Sequence, residues 1–211
     1  MILSGHQPVY IPGIILFNKI ALSDQFMFVG HCQLVQGSWQ TRNQIRTGML
    51  SVPVLHKFGQ SINEAKMVSN NWKRKHLRSI ELAYKKRPFF DLYYPFLVKM
   101  MDENWYSLGT MNISLIILML EWFKLETQIT ISEMHKIEGH KTDMLISMCK
   151  AIGADEYLSN EGARDYVDEK KMGVTGGSGG GLLTNWVVGH TTRCLLSVLR
   201  FQQGKWRHIK V

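Results

Sequence analysis

The first thirty residues constrain the fold of this chain more than any other stretch. A short apolar run ends in a polar loop, His6-Gln7-Pro8, and residues 14–22 then repeat apolar side chains with the period of a helix. A second short apolar run follows at residues 26–29. Two such runs separated by a helical segment predict a strand, helix, strand unit, in which the two strands pair in parallel.

The rest of the chain extends this pattern. Further strands are predicted at residues 49–55, 128–132 and 156–159. Helices are predicted over residues 71–86, 89–104, 111–123 and 142–152. The sequence therefore predicts an α/β fold with a mostly parallel sheet, flanking helices and a helical insertion.

The positive charge is unevenly placed along the 211 residues. The chain carries 25 Lys and Arg against 17 Asp and Glu, which gives a net charge of +8. Seven of these cations lie within residues 71–87 beside one acid, and residues 172–211 hold five cations and no acid. Because the excess belongs to one helix and the tail, it favours a phosphate-bearing small-molecule substrate over nucleic acid, which stays possible.

Cysteine usage and hydropathy indicate the compartment. Three widely spaced cysteines, Cys32, Cys149 and Cys194, argue against a disulfide framework or a zinc knuckle. The N-terminus lacks the basic region of a signal peptide, and no apolar stretch is long enough to span a bilayer. His135 and His140 are five residues apart, a spacing that suits no helical metal pair. We therefore expect a cytoplasmic protein with no membrane span and no metal site.

His6 and Gln7 are the candidate catalytic residues. The carboxyl end of a first parallel strand is where open α/β proteins usually bind ligands. A histidine there can hold an anion or exchange a proton near neutral pH. The side-chain amide of a glutamine can both donate and accept hydrogen bonds. Nucleotidyltransferases that hold ATP phosphates have a similar loop. Those enzymes typically carry a second histidine two or three residues after the first, and this chain has none at that place. The alternative is a turn histidine bonded to local backbone.

Two further groups are candidates for substrate binding in the middle of the chain. Arg42 can grip a phosphate or carboxylate, and Asn43 can orient a hydroxyl or amide. Trp72 and His76 share one helix face, with Lys75 next to His76. Around them the helix carries a run of cations that would either capture a polyanion or form a solvated face.

A third group lies towards the end of the chain. Ser159 and Gly162 follow a predicted short strand and precede Tyr166. A strand's carboxyl end places them at the same edge of the sheet as His6, so we expect them to line one cleft with His6 and Arg42. Thr142 opens a helix, where it suits the N-cap position or a substrate contact.

A series of short stretches occurs in the order typical of one known family: His6-Gln7-Pro8 with Tyr10, Gly37-Ser38-Trp39, Arg42-Asn43, Asn71-Trp72 with Lys75-His76, Lys141-Thr142, Gly153-Ala154-Asp155, Tyr157-Leu158-Ser159, Gly162 and Asp165-Tyr166. Over about residues 2–171 the chain resembles the WbqC-like protein family. The resemblance adds Tyr10 to the substrate-binding candidates.

The family is associated with gene clusters for O-antigen and other surface polysaccharides, and a glycine transferase role has been suggested for it. The resemblance therefore implies transfer of glycine or another small acyl group to an amino sugar. His6 would position or deprotonate the substrate, while Gln7 and Arg42 would orient the substrate. The cofactor is unknown, with ATP or a nucleotide-activated substrate as candidates. The alternative from the residues is a nucleotide- or nucleic-acid-binding module without catalysis.

The tail departs from this pattern. Six glycines fall between Gly173 and Gly181, and the segment that follows is apolar without a clear period. We therefore expect one domain over residues 1–171 and an atypical, glycine-rich basic tail over residues 172–211. That tail is either a linker with a small basic segment or the product of a frameshift, and the second case would make the chain an incomplete, inactive homologue.

Overall fold

The computed structural model describes residues 1–69, 71–163, 165–174, 183–187, 199–202 and 205–208. The chain forms two units. The sheet unit comprises Met1–His6, Gly13–Phe28 and Leu125–Val211, and the insert unit comprises Gln7–Pro12 and Val29–Lys124. The loop that follows the first strand therefore belongs to the insert unit, although sheet-unit residues flank it on both sides in sequence.

The sheet unit is built on parallel strands. Four of them are β1 (Ile2–His6), β2 (Gln25–Phe28), β7 (Gln128–Ile131) and β8 (Glu156–Asn160). A fifth, β9 (Leu183–Val187), pairs in parallel with β8, and the strand order is β7-β2-β1-β8-β9. The interiors of β1 and β8 are buried, as expected for parallel strands covered on both faces. The predicted α/β fold with a mostly parallel sheet is confirmed.

The described part of the sheet unit has three α-helices: α1 (Ile14–Ala21), α5 (Thr142–Ile152) and α6 (Glu169–Val174). Helix α5 ends at Gly153, whose φ of +75° is a left-handed conformation that glycine adopts without steric cost. The predicted helix over residues 142–152 matches α5 at both ends.

The insert unit combines short hairpins with three helices. Its strands are β3 (Arg42–Ile45), β4 (Gly48–Ser51), β5 (Val54–Leu55) and β6 (Lys66–Met67), and its helices are α2 (Asn71–Tyr84), α3 (Phe90–Asp102) and α4 (Leu108–Phe123). The single strand predicted over residues 49–55 is two strands, interrupted at Val52-Pro53, because proline cannot donate to a strand ladder.

Helix α4 begins three residues earlier than predicted. Ser107 and Thr110 form a reciprocal capping box, in which each side chain binds the backbone N–H of the other. The core of the insert unit lies among α3, α4 and the loop residue Tyr10, and its fully buried members include Ile62, Met101 and Leu108.

The tail contains three described strands. After β9 come β10 (Leu199–Gln202) and β11 (Lys205–His208), which pair as an antiparallel hairpin. The predicted glycine-rich linker lies largely outside the described residues. The division into a domain over residues 1–171 and a tail over residues 172–211 stays a prediction.

Candidate functional site

The carboxyl ends of β1 and β8 form the first part of the candidate site. From β1 the chain adds β2 and then β7 on one side, and it returns to the other side of β1 with β8. The strand order therefore reverses between β1 and β8, which in open α/β sheets is the point where ligands bind. His6 is the last residue of β1, and Ser159 and Asn160 are the last two of β8.

A buried lysine supports the end of β1. The Nζ of Lys19 donates to the carbonyl oxygen of Gly5 at 2.7 Å and lies 5.9 Å from the centroid of the Tyr157 ring. Lys19 is 3% exposed, and burial lowers the pKa of its amine to about 7. Sequence reasoning missed this residue, because a lysine on a short helix reads as solvated.

Gly5 is closely packed against its neighbours. A Cβ atom at this position would lie 2.5 Å from the Cε of Met148 and 3.2 Å from the carbonyl oxygen of Met27. The backbone before His6 is therefore fixed by close packing as well as by the strand ladder.

The residues after β8 form the second part of the site within the sheet unit. Ser159 is 2% exposed, and the Oδ1 atom of Asn160 is buried without a hydrogen bond to any described residue. Gly162 lies in a single 3-10 turn, and Tyr166 is half exposed. A buried acceptor at a strand-order reversal is an unusual feature, because such atoms are normally paired.

Thr142 is the first residue of α5, one position past the N-cap, Lys141. Its hydroxyl donates to the carbonyl oxygen of Tyr166 at 3.2 Å and accepts from the backbone N–H of Asp168 at 3.0 Å. Thr142 therefore fixes the loop that carries Tyr166, and its predicted capping bond is absent.

In the insert unit, side-chain amides hold the loop Gln7–Pro12. The Oε1 of Gln7 accepts from the Nε2 of Gln40 at 2.7 Å. The Nδ2 of Asn112 donates to the carbonyl oxygens of Pro8 at 3.3 Å and Gln40 at 2.8 Å. Asn112 is fully buried. These bonds fix the backbone that follows His6, and sequence reasoning missed both Gln40 and Asn112.

Asn43 binds the far end of the same loop. Its Nδ2 donates to the carbonyl oxygens of Tyr10 and Ile11. Ile11 has a φ of +43°, a left-handed conformation that is costly for a β-branched residue. The clamp from Asn43 holds this conformation in place. Asn43 therefore acts on the backbone of the loop, whereas its neighbour Arg42 is exposed on the opposite face of the hairpin.

Tyr10, Trp72 and His76 form a buried aromatic cluster. The Tyr10 hydroxyl and the His76 Nδ1 are 2.8 Å apart, and the Trp72 and His76 rings pack edge to face at 4.9 Å between centroids. Which of the Tyr10 hydroxyl and the His76 Nδ1 donates depends on the tautomer of the His76 ring. Burial lowers the pKa of His76 to about 4 and raises that of Tyr10. The cluster is therefore neutral at pH 7 and supports the loop from beneath.

The cations of α2 do not form one surface. Lys75 is exposed, whereas Lys73 is buried and donates from its Nζ to the carbonyl oxygen of Glu103 at 2.6 Å. The structure thus brings together Tyr10, Trp72 and His76, but not Lys75. His6, Thr142, Ser159, Gly162 and Tyr166 are residues of the sheet unit, and the other candidates belong to the insert unit. The expectation of one cleft lined by His6, Arg42 and Ser159 stays a prediction.

The described ranges also bear on metal binding and on membrane insertion. In this part of the chain, no group of three or more His, Cys, Asp and Glu side chains is placed to hold a metal ion. No helix among the described residues is long and apolar enough to cross a membrane.

Comparisons with known proteins identify relatives. The model of the WbqC-like protein family matches residues 7–176. An uncharacterized protein of Mycobacterium tuberculosis, Rv1507c, is 29% identical over 171 residues, which cover 78% of this chain and 74% of that protein. No solved structure matches the chain.

A second relative matches a short stretch. The uncharacterized peptidase YuxL of Bacillus subtilis is 46% identical over 41 residues, which cover 19% of this chain and 6% of that protein. Separately, Gly176-Gly177-Ser178-Gly179-Gly180 fits the G-x-S-x-G of hydrolase nucleophile turns, a pattern that sequence reasoning passed over. Hydrolase catalysis needs a histidine and a carboxylate placed around that serine. These five residues lie outside the described part of the chain, so the pattern assigns no function.

Proposed function

This chain belongs to the WbqC-like protein family, and we propose that it transfers glycine or another small acyl group to an amino sugar in the biosynthesis of O-antigen or another surface polysaccharide. The observation that carries the proposal is the place of His6, at the end of the strand where the sheet order reverses. Open α/β proteins usually bind their ligands at this point of the sheet.

The supports around His6 fit a reaction that needs a fixed geometry. Lys19 and Gly5 fix the backbone before His6, and Gln40 and Asn112 fix the backbone after it. Preorganised groups lower a reaction barrier because no energy is spent on ordering them during the reaction. A loop that served only as a connection would not need this many side-chain bonds.

The proposed roles follow from the chemistry of each side chain. An amide bond forms when the amino group of the sugar attacks an acyl carbon, and the amine then loses a proton. His6 accepts that proton, because a histidine exchanges protons near neutral pH. Gln7 orients the substrate, and Arg42 binds its phosphate or carboxylate. A free carboxylate needs activation before an amine can attack it, so ATP is the candidate co-substrate. ATP would convert the carboxylate to an acyl phosphate or an acyl adenylate, and the bond from the acyl carbon to the phosphate oxygen would break as the amide forms, so that phosphate or AMP leaves.

The test combines the purified protein with nucleotide-activated amino sugars, glycine and ATP, and reads products by mass spectrometry. We expect one sugar of the panel to gain a glycyl group, and we expect His6→Ala to reduce the initial rate at least 100-fold, the scale of general base catalysis. His140→Ala is the matched control, because this exposed histidine belongs to the same unit. A folded protein that modifies no sugar of a broad panel would contradict the proposal.

Ligand binding and thermal stability distinguish the two alternatives from the proposed reaction. A nucleotide- or nucleic-acid-binding module would bind its ligand equally well with His6→Ala and lose binding when the cations of α2 are neutralised. An incomplete homologue would neither react nor gain thermal stability from any substrate, because a ligand that binds the folded state must raise its stability.

A further inference from the structure

The turn between α2 and α3 concentrates positive charge. Lys85, Lys86 and Arg87 follow the end of α2, and all three are exposed. With Arg46 they line a groove of about 430 Å³, whose remaining lining residues are Thr47, Leu82 and Ala83. The groove thus has four cations and no acid in its wall. We call residues 85–87 the basic turn.

Exposed apolar side chains continue from this turn along α3. Phe89 is 49% exposed, Leu92 56% and Phe96 52%. Leu92 and Phe96 are four residues apart on α3 and so share one helix face, which Lys99 continues, and Phe89 immediately precedes the helix. The opposite face packs inward, where the Tyr94 hydroxyl donates to the carbonyl oxygen of Leu77 at 3.1 Å. We call Phe89, Leu92 and Phe96 the apolar stripe.

The backbone at Phe89 adds an independent observation. Its φ is +65°, a left-handed conformation in which a bulky side chain is a genuine outlier, and glycine or asparagine is normally found. The left-handed backbone at Phe89 does not serve to bury the ring, because about half of the residue's surface is exposed to solvent. Strained backbone positions cluster at functional sites, so the left-handed conformation of Phe89 fits a surface that binds a partner.

We infer that the basic turn and the apolar stripe dock the protein on the surface of an anionic lipid bilayer. Lysine and arginine bind acidic headgroups, and phenylalanine and leucine enter the boundary between headgroups and acyl chains. Charge complementarity selects this partner. A second protein chain would not need four clustered cations, and a nucleic-acid backbone would not need exposed leucine and phenylalanine in a row. The inference is independent of the proposed reaction.

The experiment measures binding of the full chain to vesicles by co-sedimentation. Vesicles of phosphatidylcholine with phosphatidylglycerol are compared with vesicles of phosphatidylcholine alone. We expect binding to the anionic vesicles only. Neutralising the basic turn with K85Q, K86Q and R87Q should weaken it about 100-fold, since each cation near such a surface contributes roughly fivefold. Replacing the apolar stripe with F89S, L92S and F96S should weaken it at least tenfold.

Matched controls separate the patch from general charge and hydrophobicity. K57Q, K124Q and K150Q remove three exposed cations elsewhere, and V35S, L55S and M134S remove three exposed apolar side chains. Both control triples should bind as the parent chain does. The thermal midpoint of every variant verifies that it is folded.

Three outcomes would overturn the inference. The first is equal binding to charged and neutral vesicles. The second is binding of a single-stranded oligonucleotide, with no vesicle binding, that the basic-turn variant abolishes. The third is a dimer in sedimentation velocity, again without vesicle binding, that the stripe variant dissociates.

Discussion

The two units of this protein hold the two sides of one loop by different means. In the sheet unit, the strand ladder, close packing at Gly5 and the buried amine of Lys19 fix the backbone before the loop. In the insert unit, the amides of Gln40, Asn43 and Asn112 bind its carbonyl and side-chain oxygens. Backbone ladders form with almost any side chains, whereas amide clamps need one residue type at one place. The insert unit should therefore tolerate substitution around the loop less well.

The largest effect is expected from Lys19, as a pH dependence of the sheet unit. Burial lowers the pKa of this amine from 10.5 to about 7. Between these values the unfolded chain holds a proton that the folded chain lacks, so stability rises with pH across this window. Relative to Lys19→Met, the free energy of unfolding should rise by about 4 kcal/mol from pH 7 to pH 10. Denaturant unfolding at four pH values measures it, and parallel curves for the two proteins would contradict it.

Asn112 should give the next largest effect and test the comparison directly. Asn112→Leu keeps the volume but leaves two buried carbonyl oxygens unpaired, which should cost about 3 kcal/mol. The counterpart in the sheet unit is Thr127→Val, which removes one bond of 2.9 Å to the carbonyl oxygen of Ile20 and should cost about 1 kcal/mol. Urea unfolding measures both. Equal losses of stability in the two variants would contradict the comparison. The insert unit would then depend on its amide clamps no more than the sheet unit depends on its side-chain hydrogen bonds.

The smallest effect concerns His76 in the insert unit, in a different pH window. Burial lowers its pKa from 6.5 to about 4. In that window the unfolded chain takes up a proton and the folded chain does not, so stability is complete above pH 6.5 and falls towards pH 4. Relative to His76→Gln, the loss should reach about 2 kcal/mol by pH 5. Urea unfolding of both proteins between pH 5 and pH 7.5 measures this loss, and stabilities that change in parallel would contradict the prediction.

Much of the fold was predictable from local pattern. The strands β1, β2, β7 and β8 and the helices α1, α2 and α5 follow from apolar runs and helical periodicity, which depend on near neighbours in sequence. Strand β3 and the early start of α4 were missed. The first is mostly polar, and the second depends on a capping box whose partner is a threonine in place of the usual glutamate.

The candidate site was less predictable, because its supports act across long sequence distances. Tyr10, Trp72 and His76 were chosen as residues that bind substrate, yet they are buried against each other. Lys19 and Lys73 read as solvated charges and are buried against carbonyl oxygens. Whether a polar side chain faces a ligand or a distant backbone group depends on packing that no local pattern records.

Segments of the two units alternate along the sequence, and this has a consequence for how the chain folds during synthesis. Strand β1 is made before its partner β8, which begins 150 residues later, and Pro8 is made 104 residues before Asn112. Closing such distant pairs is slow, because chain entropy is lost before the contacts form. The nascent chain must therefore keep β1 unpaired on the β8 side until β8 has been made, and any fragment that stops before β8 lacks the pairing on which the loop depends.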